Sequence, residues 1–214
     1  MLDARLRQLF PDRLAAVIRW SDAAQAEAAG RAVVAAGFRS VEVTMSTPDA
    51  AGVIARLRQP GCSVGAGTVV TAELAEEALR AGAEYLVTPY LVPEVARVAN
   101  AAQVACVIGA QTATEVRQAL DMGADMVKIF PASPIGGPGF IQALRGPLPE
   151  CALWVSGGVE LDEIAPYLAA GTDVVGLTTS LLDPAMVRDR DAEGLATLAR
   201  RALAEAGART PAAV

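Results

Sequence analysis

One lysine stands inside an apolar run, Met126-Val127-Lys128-Ile129-Phe130-Pro131. Read as a strand, the run alternates its side chains between two faces. Val127 and Ile129 then share one face, and Met126, Lys128 and Phe130 the other. An ammonium on the buried face of a central strand is costly unless something answers it. An acid can pair with it and hold it charged. Alternatively the amine can be kept partly neutral and attack a carbonyl carbon. A second run, Val41-Glu42-Val43-Thr44-Met45, alternates in the same way and sets Glu42 and Thr44 on one face. Glu42 can be the ion-pair partner of Lys128, or a general acid/base beside a lysine nucleophile, and the two roles are compatible.

The elements that must position these groups can be read from periodicity. Leu2, Leu6, Leu9 and Phe10 predict a short N-terminal amphipathic helix ended by Pro11. Eight strands follow, at 15–20, 40–45, 63–68, 84–89, 104–110, 126–130, 152–156 and 173–177. Helical patterns separate them. Ser21 reads as an N-cap, Thr47-Pro48 as a cap followed by proline at the first helical position, and Thr112 with Glu115 as a capping box. Gly37, Gly82, Gly123 and Gly171 each close a helix shortly before a strand. The glycine- and proline-rich stretch Ser133–Gly139 reads as a loop before a helix that reaches about Leu144. A helix over 192–206 ends the pattern, and 207–214 reads as a frayed tail. Alternating strand and helix predicts a parallel sheet, and eight units fit one closed (β/α)8 TIM barrel over 1–206, with no second domain.

In such a barrel the site lies at the C-terminal ends of the strands. Arg19 is near the end of the first strand, and Gly65-Ala66-Gly67-Thr68 forms the third. Ser156-Gly157-Gly158 follows the seventh strand, and Gly176-Leu177-Thr178-Thr179-Ser180 runs out of the eighth. Backbone amides and hydroxyls at this pair of loops suit a phosphate, with Arg19 on the neighbouring first strand as a cation. Together the parts suggest carbonyl chemistry on a phosphorylated substrate. A neutral lysine condenses with a ketone, the iminium draws electrons from a neighbouring carbon–carbon bond, and a carboxylate moves the protons. That chemistry needs no metal and no organic cofactor.

Composition narrows the alternatives. The 214 residues contain no histidine, which removes histidine acid–base schemes, Ser-His-Asp triads and most transition-metal sites. The net charge of −6, with no basic block, argues against nucleic acid as a partner. No apolar run approaches the roughly 18 residues of a membrane span, and the first residues lack a signal-peptide pattern. A cytoplasmic protein is the expectation. Cys62, Cys106 and Cys151 are widely spaced and odd in number, so reduced core thiols are expected.

Gly65-Ala66-Gly67-Thr68-Val69, Val41-Glu42-Val43-Thr44, Val127-Lys128-Ile129-Phe130-Pro131 and Ser156-Gly157-Gly158-Val159 resemble, in order and spacing, the 2-keto-3-deoxy-6-phosphogluconate (KDPG) aldolase family. The likeness runs from about residue 10 to 205. It implies a class I aldolase on a (β/α)8 barrel, commonly a homotrimer, that splits a 2-keto-3-deoxy-6-phospho sugar acid into pyruvate and glyceraldehyde 3-phosphate. By position it implies Lys128 as the Schiff-base lysine, Glu42 as the general acid/base and Thr68 as a contact of the pyruvate carboxylate. Phe130 and Pro89 become pocket walls, and Arg19, Gly157, Gly158 and Thr179 phosphate or substrate ligands. Ser46 stands where the gluconate-type enzymes carry a carboxylate-holding arginine and the galactonate branch an asparagine. Thr178 stands where a glycine is usual in the phosphate loop, so its side chain narrows the pocket or adds a hydroxyl ligand. The stretch Lys128–Leu144, with Pro131-Ala132-Ser133 and Gly137-Pro138, is similar to the galactonate branch. A 4-hydroxy-2-oxoglutarate aldolase, a sugar-phosphate isomerase or epimerase using Glu42 without a covalent step, and a non-catalytic phosphometabolite binder are the competing readings.

Overall fold

The computed structural model describes residues 2–207. Eight parallel strands pair in chain order, and the last pairs back onto the first to close a barrel. They are β1 (Leu14–Ile18), β2 (Ser40–Thr44), β3 (Ser63–Gly67), β4 (Tyr85–Val87), β5 (Ala105–Ala110), β6 (Met126–Ile129), β7 (Leu153–Ser156) and β8 (Val174–Leu177). Helices α2 (Ala23–Ala35), α3 (Ala50–Leu57), α4 (Ala72–Arg80), α5 (Pro93–Ala101), α6 (Ala113–Asp121), α7 (Gly137–Arg145) and α8 (Ile164–Ala169) follow the first seven strands in turn. The short α9 (Pro184–Asp189) and the long α10 (Ala192–Gly207) follow β8, and α1 (Ala4–Leu9) precedes β1. The (β/α)8 barrel read from the sequence is therefore the observed fold.

Strand alternation divides the core in two. Val127 and Ile129 pack outward against the helices, together with Val41, Val43, Leu153 and Val155. Met126 faces inward and joins a second cluster with Ala15, Val17, Tyr85, Val87, Ala105, Val107, Trp154 and Val174. Leu2, Leu6, Leu9 and Phe10 belong to that inner cluster. Many of its strand members are first or second residues of their strands, so α1 and Phe10 close the N-terminal mouth. The Phe10 ring meets Tyr85 edge-on at 4.9 Å and Trp154 at 5.2 Å between centroids, a favoured aromatic geometry. The barrel is filled from below and left open at the other end.

Several local expectations shift. The cap of α2 is Asp22, whose carboxylate accepts from the Gln25 amide at 2.7 Å, and not Ser21. Thr47-Pro48 does not start a helix. Thr47 is buried, and its Oγ1 accepts from the Trp20 amide at 3.4 Å and lies 3.2 Å from Thr44 Oγ1. That hydroxyl ties two loops together, and α3 begins two residues later, after Asp49 in the left-handed region (φ 51°). The loop expected over 133–139 is shorter, because a 3₁₀ turn covers Ser133–Ile135 and α7 already starts at Gly137-Pro138. The Thr112–Glu115 capping box forms as read. Helix α10 extends to Gly207, and the rest of the expected tail lies outside the described residues.

All three cysteines are free and buried. Burial pushes the Cys106 thiol up to about 12, and those of Cys62 and Cys151 up to about 11, from the ordinary 9.0. In the unfolded chain these thiols ionise near 9.0, while in the folded one they stay protonated. Unfolding therefore releases protons between about pH 9 and 11, and stability falls as pH rises through that window. Urea melts should show a lower midpoint at pH 10 than at pH 8. A thiol reagent should leave the native protein at pH 8 unlabelled, and label Cys62, Cys106 and Cys151 once it is unfolded.

Candidate active site

Lys128 is the third residue of β6, and Glu42 is the third of β2. Both point inward, and both are almost fully buried, at 5% and 1% exposure. The Lys128 Nζ donates to Glu42 Oε2 at 3.2 Å and to Oε1 at 3.3 Å across the barrel. The pairing is bought with space, because Gly67 on β3 lies against the carboxylate and a Cβ there would overlap Glu42 Oε1. The Nζ also lies 5.4 Å from the Trp154 ring centre and 5.5 Å from that of Phe130. Aromatic faces at this range favour a cation. Beneath Glu42, buried Tyr85 donates to the Val41 carbonyl at 2.7 Å and lies 3.0 Å from Ser40 Oγ. Burial, with the Glu42 charge adding to it, holds the Tyr85 phenol well above its ordinary pKa despite the Ser40 bond, so it stays neutral.

Above the lysine a cavity of about 230 Å³ opens at the C-terminal end of the strands. Of the residues singled out from the sequence, Arg19, Lys128, Phe130, Gly157, Thr178 and Thr179 line it. Ser156, read as part of the loop after the seventh strand, lines it too, and so do Val17, Trp20 and Leu182, which were not singled out. The first residue past β1, Arg19, donates through Nη2 to Thr68 Oγ1 at 3.1 Å. Thr68 has φ 53°, rare for a β-branched residue, and this left-handed turn brings its hydroxyl to the arginine. Gly157 and Gly158 have φ of 91° and 76°. A Cβ on Gly157 would press on the Phe130 ring at 3.0 Å, and one on Gly158 would meet Ser133 Cβ at 2.9 Å. Amides of Ala132 and Ser133 donate to the carbonyls of Ser156 and Gly157, at 2.9 and 3.1 Å, so the loops after β6 and β7 run together. Ser180 Oγ donates to the Val159 carbonyl at 2.7 Å and ties in the loop after β8. Among the described residues, no hydrogen bond within the chain uses the amide N–H of Gly157, Gly158 or Thr179.

Five singled-out residues are not on the cavity wall: Glu42 and Thr68 are joined to it through their bonds to Lys128 and Arg19, and Ser46, Pro89 and Gly158 stand apart. Ser46 is exposed, with its Oγ 3.1 Å from Thr44 Oγ1. Pro89 lies in the loop after β4, against Gly109. Thr88 pins that loop by donating to the Tyr90 carbonyl at 2.6 Å and accepting from the Gly109 amide at 3.1 Å. Gly158 serves the loop packing just described. A larger open cleft, of about 800 Å³, lies near the opposite mouth of the barrel, around Gln8, Arg39, Arg58 and Cys62. Its Arg39 is tied to Asp12 at 2.9 Å and its thiol is held protonated by burial. Lys128, with Glu42 bonded to it, faces the smaller cavity.

A buried amine, a carboxylate within hydrogen-bond reach and a small chamber with one further cation can add an amine to a carbonyl and shuttle protons. The family model described as KDPG and KHG aldolase matches residues 3–198. A 2-dehydro-3-deoxy-phosphogluconate aldolase of Treponema pallidum is 39% identical over 141 residues, 65% of this chain and 67% of that one. A probable 2-dehydro-3-deoxy-6-phosphogalactonate aldolase of Rhizobium meliloti is 34% identical over 194 residues, 87% of this chain and 90% of that one. The crystal structure of the Zymomonas mobilis 2-keto-3-deoxy-6-phosphogluconate aldolase with 3-phosphoglycerate superposes with a TM-score of 0.82 at 32% identity, covering 93% of each chain. Matched along nearly its whole length in sequence and in barrel geometry, the chain belongs to the KDPG and KHG aldolase family and is a lyase.

Proposed function

We propose that the protein is a class I aldolase that cleaves a 2-keto-3-deoxy-6-phospho sugar acid to pyruvate and glyceraldehyde 3-phosphate through a Schiff base on Lys128. The observation that carries this reading is the enclosed Lys128–Glu42 pair, 3.2 Å apart beneath the cavity. Glu42 takes a proton from the ammonium, and the freed amine attacks the C2 ketone. The carbinolamine loses water as Glu42 returns the proton to the leaving oxygen, leaving a cationic iminium. The rings of Phe130 and Trp154 favour that cation. Removal of the C4 hydroxyl proton breaks the C3–C4 bond, and its electron pair moves into the iminium to give an enamine. The aldehyde departs, C3 is protonated, and water returns pyruvate and the lysine.

A phosphate at the far end of the substrate is supported by the unspent amides of Gly157, Gly158 and Thr179, with the Thr178 and Thr179 hydroxyls and Arg19 beside them. The related Zymomonas enzyme was crystallised with 3-phosphoglycerate, and relatives are named for both the gluconate and galactonate substrates. Thr68, bonded to Arg19 just past β3, is the proposed contact for the pyruvate carboxylate. Arg19→Ala should raise KM for the phosphorylated substrate about ten- to a hundredfold and lower kcat less. A charge-assisted hydrogen bond contributes about 1.5–3 kcal/mol, and steady-state kinetics check the split.

The test of the reading is pyruvate release, followed through lactate dehydrogenase, from 2-keto-3-deoxy-6-phosphogluconate, its C4 epimer and 4-hydroxy-2-oxoglutarate. Turnover of a phosphorylated epimer, at higher kcat/KM than the unphosphorylated diacid, is expected. Release only from 4-hydroxy-2-oxoglutarate would replace the sugar-acid reading, and release from none would end it.

A further inference from the structure

We infer that Trp20 is a specificity-determining residue, the wall that limits how long an acceptor aldehyde the site accepts; the inference rests on the aldolase reading above. Trp20 is half-buried and lines the catalytic cavity. It also lines a second, open cleft of about 460 Å³, formed with Arg19, Ser21, Gln25, Pro184 and Arg188. Arg19 and Trp20 are the residues common to both spaces; Arg19 is engaged with Thr68, and the indole is the apolar member of the shared wall. The ring is anchored, since its Nε1 donates to Gln25 Oε1 at 2.9 Å and the Trp20 amide donates to the Thr47 hydroxyl at 3.4 Å. Gln25 sits in the first turn of α2 behind the Asp22 cap, so the anchor belongs to a fixed element.

Size makes the shared wall matter. The catalytic chamber, at about 230 Å³, is smaller than the roughly 300–1,000 Å³ of ordinary small-molecule sites. Lys128 fixes the pyruvate end at the floor. An acceptor one carbon longer must then carry its phosphate further along the loops after β7 and β8, toward the Trp20 indole that follows β1 and shares their cavity. Removing the indole would merge the chamber with a cleft that holds a second cation, Arg188. A longer phosphorylated tail would then have both room and a counter-charge.

The experiment runs the reaction in the condensing direction, with pyruvate and either glyceraldehyde 3-phosphate or the one-carbon-longer erythrose 4-phosphate. The readout is the ratio of kcat/KM for the longer to the shorter aldehyde, which is independent of any general loss of activity. Trp20→Ala should raise that ratio about tenfold, the scale on which a pocket reads one methylene. Gln25→Leu keeps the indole but frees it, and should raise the ratio about threefold; it decides the matter should Trp20→Ala not fold. A ratio that rises in neither variant overturns the inference alone, provided the wild-type enzyme still forms a borohydride-trapped pyruvate adduct on Lys128. Absence of that adduct in the wild type overturns the aldolase reading and the inference with it.

Discussion

Replacing Lys128 by arginine is expected to lower aldol cleavage on the order of 10⁴-fold or more, with the barrel intact. Arginine is the informative choice because of what Lys128 touches. Glu42 is 1% exposed and has Lys128 as its ion-pair partner. Lys128→Ala would leave that carboxylate buried without a counter-ion, at a cost of about 3–5 kcal/mol, and would confuse lost chemistry with lost stability. A guanidinium still answers the carboxylate, but it does not deprotonate in a protein and forms no Schiff base. On the proposed mechanism, loss of the nucleophile removes the covalent route altogether, which is why the expected effect is so large. An isomerase or epimerase that used Glu42 as its base would keep appreciable turnover in the same variant. The measurement is kcat for pyruvate release, with a thermal melt to show that the variant is folded.

Glu42→Gln is expected to cost about 10²- to 10⁴-fold in kcat, the usual range for a positioned acid/base. The amide retains volume and can still accept from the Lys128 Nζ, which it meets at 3.2–3.3 Å in the carboxylate form. Gly67 leaves no slack for a larger group, so an isosteric change is the one that preserves the packing. On the proposed mechanism the variant loses the group that moves protons at carbinolamine formation and at C3. Pyruvate should therefore still be trapped on Lys128, but more slowly, and exchange of pyruvate methyl protons into D2O should fall with kcat. Exchange at the wild-type rate would show that another group protonates the enamine, and would take Glu42 out of the mechanism.

The two residues at the centre of these predictions were legible because strand alternation has a period of two. A single charge among apolar neighbours, as at Lys128 or Glu42, can only point to the face that the apolar residues leave. The same alternation gave the two clusters, with Val127 and Ile129 outside and Met126 inside. Capping was legible where the side chain closes its own box, as at Thr112 and Glu115. It was not where two cap-type residues adjoin. Ser21 and Asp22 are both good caps, and only the bond from the Gln25 amide to Asp22 decides between them. At Thr47 a tertiary partner intervened, because the hydroxyl is committed to Thr44 and Trp20 and is not free to start a helix.

The walls of the cavity were harder to read. Val17, Trp20 and Leu182 are apolar, and nothing in their spacing separates a residue lining a chamber from one filling a core. They line it because the strands end there and no inner layer lies above. Helix α9 spans only Pro184–Asp189, too short for a periodic signal. Asp183 followed by Pro184 was the available cue, since that carboxylate accepts from the amides of Ala185 and Met186. The left-handed Thr68 carried no such cue, because a β-branched residue is among the last expected at positive φ.

The most direct measurement is the mass of the protein after incubation with pyruvate and borohydride, followed by peptide mapping. The account predicts one reduced three-carbon adduct per chain, on the peptide that contains Lys128, and none in Lys128→Arg. An adduct on another residue, or an unmodified chain that nonetheless releases pyruvate from its substrate, would contradict it.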